Sequence, residues 1–326
     1  MDIILSPCLP LSASQHNQRR CEMKSVLFLS GKGGTGKTSL AGAFAVLSKN
    51  KVLADCDVDA ANLHLLLNPQ ITESGEFQGS NEAVKDDAKC TNCGECRRVC
   101  RFHAIDEEVN IDPYLCEGCG ACVYVCPTDA ITLRARLSGQ WYTATSRLGP
   151  LASAELYPGE ETSGKLVTLV KQKAYTLAKE VEAERMVIDG SPGIGCPVIA
   201  SATGASAVIL VTEPSLSGLH DLERILSVVT HFRIPAYLVV NKFDLNEEMT
   251  VQVEEFAAEK GLEVIGRIPY DPGVPQRMIE GKSVVEDEQS PAGAAMREIY
   301  ARFEKEAWMT SARIKNGVNP CDWTDG

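Results

Sequence analysis

The run Ser30-Gly31-Lys32-Gly33-Gly34-Thr35-Gly36-Lys37-Thr38-Ser39 follows directly on the apolar stretch Val26-Leu27-Phe28-Leu29, and it constrains the fold more than any other part of the chain. A short strand entering a glycine-rich turn that opens a helix aims several backbone N–H groups and a helix N-terminus at one point, where an anion binds readily. The helix is expected from Thr38 to about Ser48, apolar at Leu40, Phe44 and Leu47. In the spacing G-x-x-x-x-G-K-T, Lys37 reaches the β- and γ-phosphates and the Thr38 hydroxyl ligates Mg2+. Gly31, Gly33, Gly34, Thr35, Gly36 and Ser39 complete the cradle. The alternative, a glycine-rich turn that matches by chance, does not account for strand, loop and helix standing in the required order.

Two further strands end in acids. Lys51-Val52-Leu53-Ala54 leads into Asp55-Cys56-Asp57-Val58-Asp59, and Arg185-Met186-Val187-Ile188 into Asp189-Gly190-Ser191-Pro192-Gly193-Ile194-Gly195-Cys196-Pro197. Ligand groups collect at the carboxyl ends of strands in a doubly wound sheet. An aspartate closing an apolar strand fits the Walker B acid that holds the Mg2+ shell, and the glycines after Asp189 let a loop follow a γ-phosphate. The bland alternatives are a solvated acidic turn at 55–59 and a helix N-cap at Asp189. Further along, Ala207–Val211, Ala236–Val240 and Leu262–Ile268 read as strands, with helices at about 163–183, 216–231, 247–259 and 292–308 between and after them.

A second signal is independent of the first. Cys90, Cys93, Cys96 and Cys100 have the spacing C-x2-C-x2-C-x3-C, and Cys116, Cys119, Cys122 and Cys126 repeat it 26 residues later. Aligning 90–105 with 116–131 pairs eight identical residues of sixteen, among them Gly94 with Gly120 and Ala104-Ile105 with Ala130-Ile131. Thirteen cysteines in a secreted chain could be a disulfide framework, but eight of them within 37 residues at ligand spacing fit metal ligation better. Two zinc knuckles are the alternative; zinc sites take their ligands in pairs, and Cys126-Pro127 suits an iron–sulfur run. The two runs are preceded by polar, acidic residues Thr72 to Asp87, which read as a linker. They are followed by an alternating stretch, Gln140 to Ser146, that reads as an edge strand pairing with Ala152–Tyr157.

With Lys32 directly after the first glycine, the phosphate loop resembles the deviant loop of MinD/ParA/Mrp-type ATPases and of the nitrogenase iron protein. The cysteine runs resemble the bacterial two-cluster 4Fe-4S ferredoxin. Together they identify a MinD-superfamily P-loop ATPase with an inserted ferredoxin domain, a resemblance covering Met23 to about Phe303. It implies ATP and Mg2+ as ligands and a dimer in which Lys32 crosses to the partner's nucleotide. It also implies that Asp57 orients the attacking water, that Asp55 and Asp189 support Mg2+, and that Asn241, Pro269 and Asp271 lie on the adenine side. Asn241-Lys242-Phe243-Asp244 taken alone could suggest guanine; the deviant loop outweighs that. By the ferredoxin pattern Cys90, Cys93, Cys96 and Cys126 hold one cluster, and Cys116, Cys119, Cys122 and Cys100 the second. Arg97, Arg98 and Arg101 add positive charge near a cluster, which favours its reduced state. Cys196 stands seven residues after Asp189, where the nitrogenase iron protein carries a cysteine that bridges subunits through a cluster; a small buried hydrophobe is the alternative. Cys8, Cys21, Cys56, Cys321 and the five histidines receive no role.

The expected architecture is therefore α/β, a doubly wound, mainly parallel P-loop NTPase sheet with a small inserted α+β ferredoxin-like domain. Residues 23–84 and 134–305 form the ATPase, 85–133 the insertion, and 306–326 a tail; residues 1–22 read as a disordered extension or a mis-assigned start. The net charge of −12 gives no general pull toward nucleic acid or anionic membrane. No run of about 18 apolar residues would span a membrane. The expected function is a dimeric ATPase, homodimeric or paired with a similar ATPase, coupling its cycle to electron transfer with an unidentified redox partner in the cytoplasm. A scaffold or carrier passing iron–sulfur or metal cofactors to an acceptor protein is the alternative, although only Cys321 stands where Mrp-type relatives carry a C-terminal cysteine pair. A MinD-like positioning ATPase is the third reading, against which the short acidic tail argues.

Overall fold

Strands that feed the phosphate loop and its neighbours are apolar on both faces, as parallel strands covered by helices on either side must be. In the computed structural model, which describes residues 23–160 and 163–308, the first half contains β1 (Lys24–Leu29), α1 (Lys37–Leu47), β2 (Lys51–Cys56), α2 (His64–Leu67), β3 (Gln70–Lys85), α3 (Glu95–Val99) and α4 (Ala121–Val125). Next come β4 (Ile131–Thr145), β5 (Leu151–Leu156), α5 (Ser163–Glu180), β6 (Arg185–Gly190), α6 (Cys196–Ala202) and β7 (Ala207–Thr212). The chain ends with α7 (Leu216–His231), β8 (Ala236–Asn241), α8 (Glu247–Glu259), β9 (Glu263–Ile268), α9 (Gly273–Ile279) and α10 (Pro291–Phe303).

One nine-stranded sheet has the order β3-β4-β5-β2-β6-β1-β7-β8-β9. Along it, β5 to β9 pair in parallel, and β4 and β3 are added antiparallel. The two-residue period sorts the side chains between the faces. Leu27 and Leu29 pack with α5, α6, α7 and α8 through Leu166, Val198, Leu222 and Val253, whereas Val26 and Phe28 pack with α1 and α10 through Leu40, Phe44, Met296 and Phe303. The expected doubly wound sheet is thus present.

Several local expectations are corrected. Residues 72–87, expected as a linker, lie mostly in β3, a sixteen-residue strand. Its polar composition follows from its place at the sheet edge, where only Phe77, Gly79 and Ala83 are buried. The stretch read as an edge strand at 140–146 is the second half of β4, covered on one side by β3 and on the other by β5. Helix α2 has only four residues, and neither it nor α6 and α9, of seven residues each, stands among the helices expected above. Helix α10 stops at Phe303, and a wide helical turn over Glu304–Trp308 buries Trp308 beneath the Arg185 guanidinium, 4.3 Å from the ring centre. Packing therefore reaches into the stretch read as tail; residues 1–22, read as an extension or a mis-assigned start, and 309–326 lie outside the described residues.

Beyond Gly139 of β4 the pairing with β5 ends, and β3 and β4 continue alone as a two-stranded ribbon. Register shifts at Phe77/Gln78 and Gln78/Ser80 mark where the ribbon leaves the sheet. Residues 86–130 join its ends and contain α3, α4 and an isolated bridge between Ile105 and Ile111. A small apolar cluster of its own holds this module, built from Ala83, Cys96, Ile105, Val109, Cys122 and Ile131. The 26-residue duplication is visible in the backbone. Positive φ recurs at Asn92 and Gly118 (53° and 61°), at Gly94 and Gly120 (74° and 77°), and at His103 and Asp129 (53° and 50°).

Candidate nucleotide site and cysteine module

Parallel register sets the first site. Phe28 and Asp55 both align with Asp189 across adjacent strands, which puts the ends of β1, β2 and β6 side by side. Lys37, in the first turn of α1, reaches back over them: its Nζ lies 2.6 Å from Asp189 Oδ1 and 3.2 Å from Asp57 Oδ2. All three are buried. Burial works against the lysine's charge, but Asp189 and Asp57 outweigh it and hold the ammonium above its ordinary pKa. Burial also pushes Asp57 up. Asp55 is pushed to about 8, by burial first and by Asp189 second, although it accepts the N–H groups of Asp57 (3.2 Å) and Leu63 (3.1 Å).

Three buried oxygens at this place have no hydrogen-bond partner among the described residues: Asp57 Oδ1, Asp189 Oδ2 and Thr35 Oγ1. Buried polar atoms are otherwise satisfied almost everywhere in proteins. Two carboxylate oxygens and a hydroxyl left open beside a phosphate loop are hard donors of the kind that suits Mg2+ and its waters. Thr38, half-buried in the first turn of α1, lies on the same loop, and Ser39 directs its hydroxyl to Met278 Sδ at 3.5 Å.

The loop is shaped by contacts that the sequence motif does not state. Gly36 has φ 90°, and a Cβ there would stand 2.2 Å from Asn241 Nδ2; Gly31 would clash likewise with Asp221. Asn241 donates to the Thr35 carbonyl at 2.7 Å, so in this structure it braces the phosphate loop. Lys242 donates to Gly34 O at 3.1 Å. Lys32 lies against its own chain, 2.6 Å from Glu213 Oε1 and 3.0 Å from Ser217 Oγ. Glu213 and Ser217 were missed by sequence reasoning, for no motif marks them, and Lys242, although inside the N-K-x-D string, was given no role at the phosphate loop. Asp244 Oδ1 accepts the N–H of Tyr270, next to half-buried Pro269, and so ties together the two loops expected to face adenine. Asp271 accepts Gly273 N–H and the Ser290 hydroxyl, which hold its carboxyl below the usual range.

The eight cysteines line two open cavities at the ribbon's end, about 350 and 290 Å3 including their mouths. Cys100, Cys116, Cys119 and Cys122 line one; Cys90, Cys93, Cys96 and Cys126 line the other. Each cavity thus takes three cysteines from one run and the last cysteine of the other run. Burial pushes the Cys96 and Cys122 thiols up, whereas backbone N–H groups, those of Thr128 and Ala130 foremost, hold Cys126 down. Among the described residues no three His, Cys, Asp or Glu side chains converge as ligands of a single metal ion. The charge expected from the arginines is largely offset: Arg97 pairs with Glu107 at 2.9 Å and Arg98 with Glu95 at 2.5 Å. Cys196 is exposed, not a buried hydrophobe, and Cys56 is buried with its thiol pushed up to about 12.

A mainly parallel sheet with a phosphate loop between β1 and α1, and acids at the ends of β2 and β6, defines a P-loop nucleotide-binding protein. More narrowly, the chain belongs to the CobQ/CobB/MinD/ParA nucleotide binding domain family, whose model matches residues 26–284. It is 34% identical over 284 residues to an uncharacterised protein of Methanocaldococcus jannaschii, covering 86% of this chain and 96% of that one. To the septum site-determining protein MinD of Bacillus subtilis it is 23% identical over 291 residues, covering 86% and 88%. In fold it is similar to MinD of the Aquifex aeolicus MinC:MinD cell division complex (TM-score 0.54, 17% identity, 91% and 99% covered). A MinD complexed with Mg-ADP from Pyrococcus horikoshii gives the same TM-score of 0.54 (18% identity, 90% and 100% covered).

Proposed function

We propose that this protein is a MgATP-dependent dimeric ATPase that holds two 4Fe-4S clusters and couples its nucleotide cycle to electron transfer with a partner protein. One observation carries the cluster reading: two separate cavities, each lined by the four cysteines that the ferredoxin pattern assigns to one cluster. A cubane is wider than one ion, so ligands that surround a shared cavity without converging on a point suit it. When bound, such clusters supply one-electron carriers.

At the nucleotide site, Lys37 and the loop N–H groups bind the phosphates, and Thr38 and Asp189 hold Mg2+ with Asp55 behind them. Asp57 orients the attacking water. Positioning and charge placement are most of what phosphoryl transfer asks of a protein. Lys32, lifted off Glu213, reaches the nucleotide of a second subunit, homologous or identical. Asn241, Pro269 and Asp271 form the adenine side.

An anaerobic redox titration followed by EPR, without nucleotide and with MgADP or MgATP, tests the coupling. A shift of some 30–60 mV between states, on the order of 1 kcal/mol for a one-electron couple, is the expected result. Superimposable curves would remove the coupling and favour a cofactor carrier, tested next by transfer to an apo-protein. Protein free of iron after anaerobic reconstitution would remove the cluster reading itself. The second reading, a MinD-like positioning ATPase, is favoured by the likeness to MinD in sequence and fold. Co-sedimentation with anionic liposomes that depends on MgATP would establish it.

A further inference from the structure

The loop after Asp189 and the cysteine module are linked by backbone and side-chain contacts that run through α5 and the root of the ribbon. Ser191 donates to Cys56 O at 2.7 Å, and Gly193 N–H to Ser30 O at 2.9 Å, so this loop touches both β2 and the phosphate loop. Cys196 opens α6 immediately beyond it. There α5 approaches closely, for a Cβ on Gly164 would lie 3.0 Å from Cys196 Cβ. At the other end of α6, Lys171 of α5 donates to the carbonyls of Ala200 (3.1 Å), Ser201 (2.8 Å) and Thr203. The two helices are therefore fastened at both ends.

On its opposite side α5 holds the root of the ribbon. Lys173 pairs with Glu73 of β3 at 3.0 Å and sits 3.6 Å from the Trp141 ring centre of β4. Lys165 reaches Gly79 O at 3.4 Å, within the stretch of shifted register. Just before α5, Glu160 pairs with Arg136 at 2.5 Å, both side chains largely buried (6% and 16% exposed), and also accepts the Ser80 hydroxyl. Arg136 stands opposite Ser80, beyond the register shifts, and donates with another nitrogen to Pro113 O inside the module. Pro113 precedes Cys116, whose sulfur accepts the Ala83 N–H at 3.4 Å, and Gly118 packs on the Asn81 backbone.

We propose that Arg136 and Glu160 are positioning residues: together they fix the module to the root of the ribbon that Lys165 and Lys173 of α5 hold, so that a nucleotide-driven shift of the 190–195 loop re-poses the cavity formed by Cys100, Cys116, Cys119 and Cys122. A β-bulge region weakens ladder pairing and bends a strand, so without a clamp the ribbon beyond it would move independently of the sheet. A bidentate guanidinium that faces a carboxylate on one side and a carbonyl on the other fixes that angle. The inference rests on residues 31–39 binding nucleotide and on the module holding clusters.

Hydrogen exchange of the full-length, iron-replete protein, without nucleotide and with a non-hydrolysable MgATP analogue, reads the clamp directly. In the wild type, amides of 80–84 and 113–120 are expected to change their exchange about threefold on nucleotide binding, the scale of one partly buried ion pair. Arg136→Gln and Glu160→Gln should each abolish that change while nucleotide binding and iron content stay at wild-type values; Arg136→Lys should retain part of it. Glu160 lies outside the module, so its variant decides the matter if Arg136→Gln loses iron. A role confined to stability would speed exchange equally in both states and preserve the nucleotide effect, which would overturn the proposal, as would a wild-type module indifferent to nucleotide. Loss of nucleotide binding or of iron in the wild type is measured in the same samples and marks failure of the underlying readings instead.

Discussion

The phosphate-loop end of the sheet and the cysteine module are built on opposite principles. At the first, strands buried on both faces set three acids beside a lysine, whose ammonium pairs with Asp57 and Asp189 and leaves one buried oxygen of each without a partner. At the second, two five-residue helices and six core side chains surround cavities, and of the eight cysteines lining them only Cys96 and Cys122 are buried. The first site is a pre-organised charge arrangement that a ligand modifies. The second is too small to be held by its own apolar core, so whatever fills the cavities becomes part of its folding energy.

The largest effect expected from this contrast is at Lys37. Removing the ammonium leaves Asp57 and Asp189 buried without their counter-charge, and breaking such a buried pair costs about 3–5 kcal/mol. Lys37→Met should lose that much in urea unfolding at neutral pH, and MgATP should no longer raise the midpoint. Unchanged stability would show that the acids are neutral in the absence of ligand, and the site would not be the compensated charge cluster described here.

On the module side the prediction is local. Cys122→Ala removes one buried sulfur of the second set, and amides of 86–130 should lose protection from exchange on the order of a hundredfold, because ligand-binding energy is lost as local folding energy. Amides of β1 and β7 should keep theirs. A global loss would mean that module and sheet unfold as one unit and would dissolve the comparison.

How much of each region the sequence showed follows from the same contrast. The phosphate loop and the eight cysteines were legible because backbone geometry and ligand spacing demand particular residues at fixed intervals. Strand β3 was not: Glu73, Gly75, Glu76 and Gln78 read as linker because an edge strand needs no apolar alternation on its open face. Its long-range pairing with β4, and Gly75 lying under Trp141, are tertiary facts. Helices α6 and α9, seven residues each, are too short for a helical period to stand out. Family pattern marked Asn241, but the brace its amide gives Thr35 is a contact between residues 206 apart that spacing cannot reveal.

A second buried lysine sharpens the account of charge. Lys37 faces acids, whereas Lys171 donates to the carbonyls that end α6 with the Cys56 thiol nearby, and burial pushes it down to about 8 from 10.5. Between those values the unfolded chain binds more protons than the folded one, so this group makes stability rise with pH from about 8 to 10.5. Cys56, raised by burial to about 12 from 9, acts in the opposite sense above pH 9. Comparison with Lys171→Met, which keeps Cys56, isolates the lysine. Wild type should gain on the variant by roughly 1 kcal/mol per pH unit between about pH 8 and 10. A constant difference would mean that Lys171 stays charged throughout, stabilised by the α6 carbonyls.

The smallest effect belongs to Lys32, the one residue of the phosphate loop whose proposed task lies in another subunit. It is partly exposed and paired with Glu213 at 2.6 Å, so its release costs little more than a screened surface pair. Glu213 is also 3.5 Å from Lys242 Nζ, which itself holds Gly34 O. Neutralising the carboxylate frees Lys32 and leaves Lys242 its carbonyl partner. Glu213→Gln should lower the protein concentration for MgATP-dependent dimerisation about two- to fivefold in sedimentation velocity, with no change in its absence. A midpoint that rises instead would mean that Glu213 belongs to the closed state, orienting Lys32 toward the second nucleotide and not detaining it.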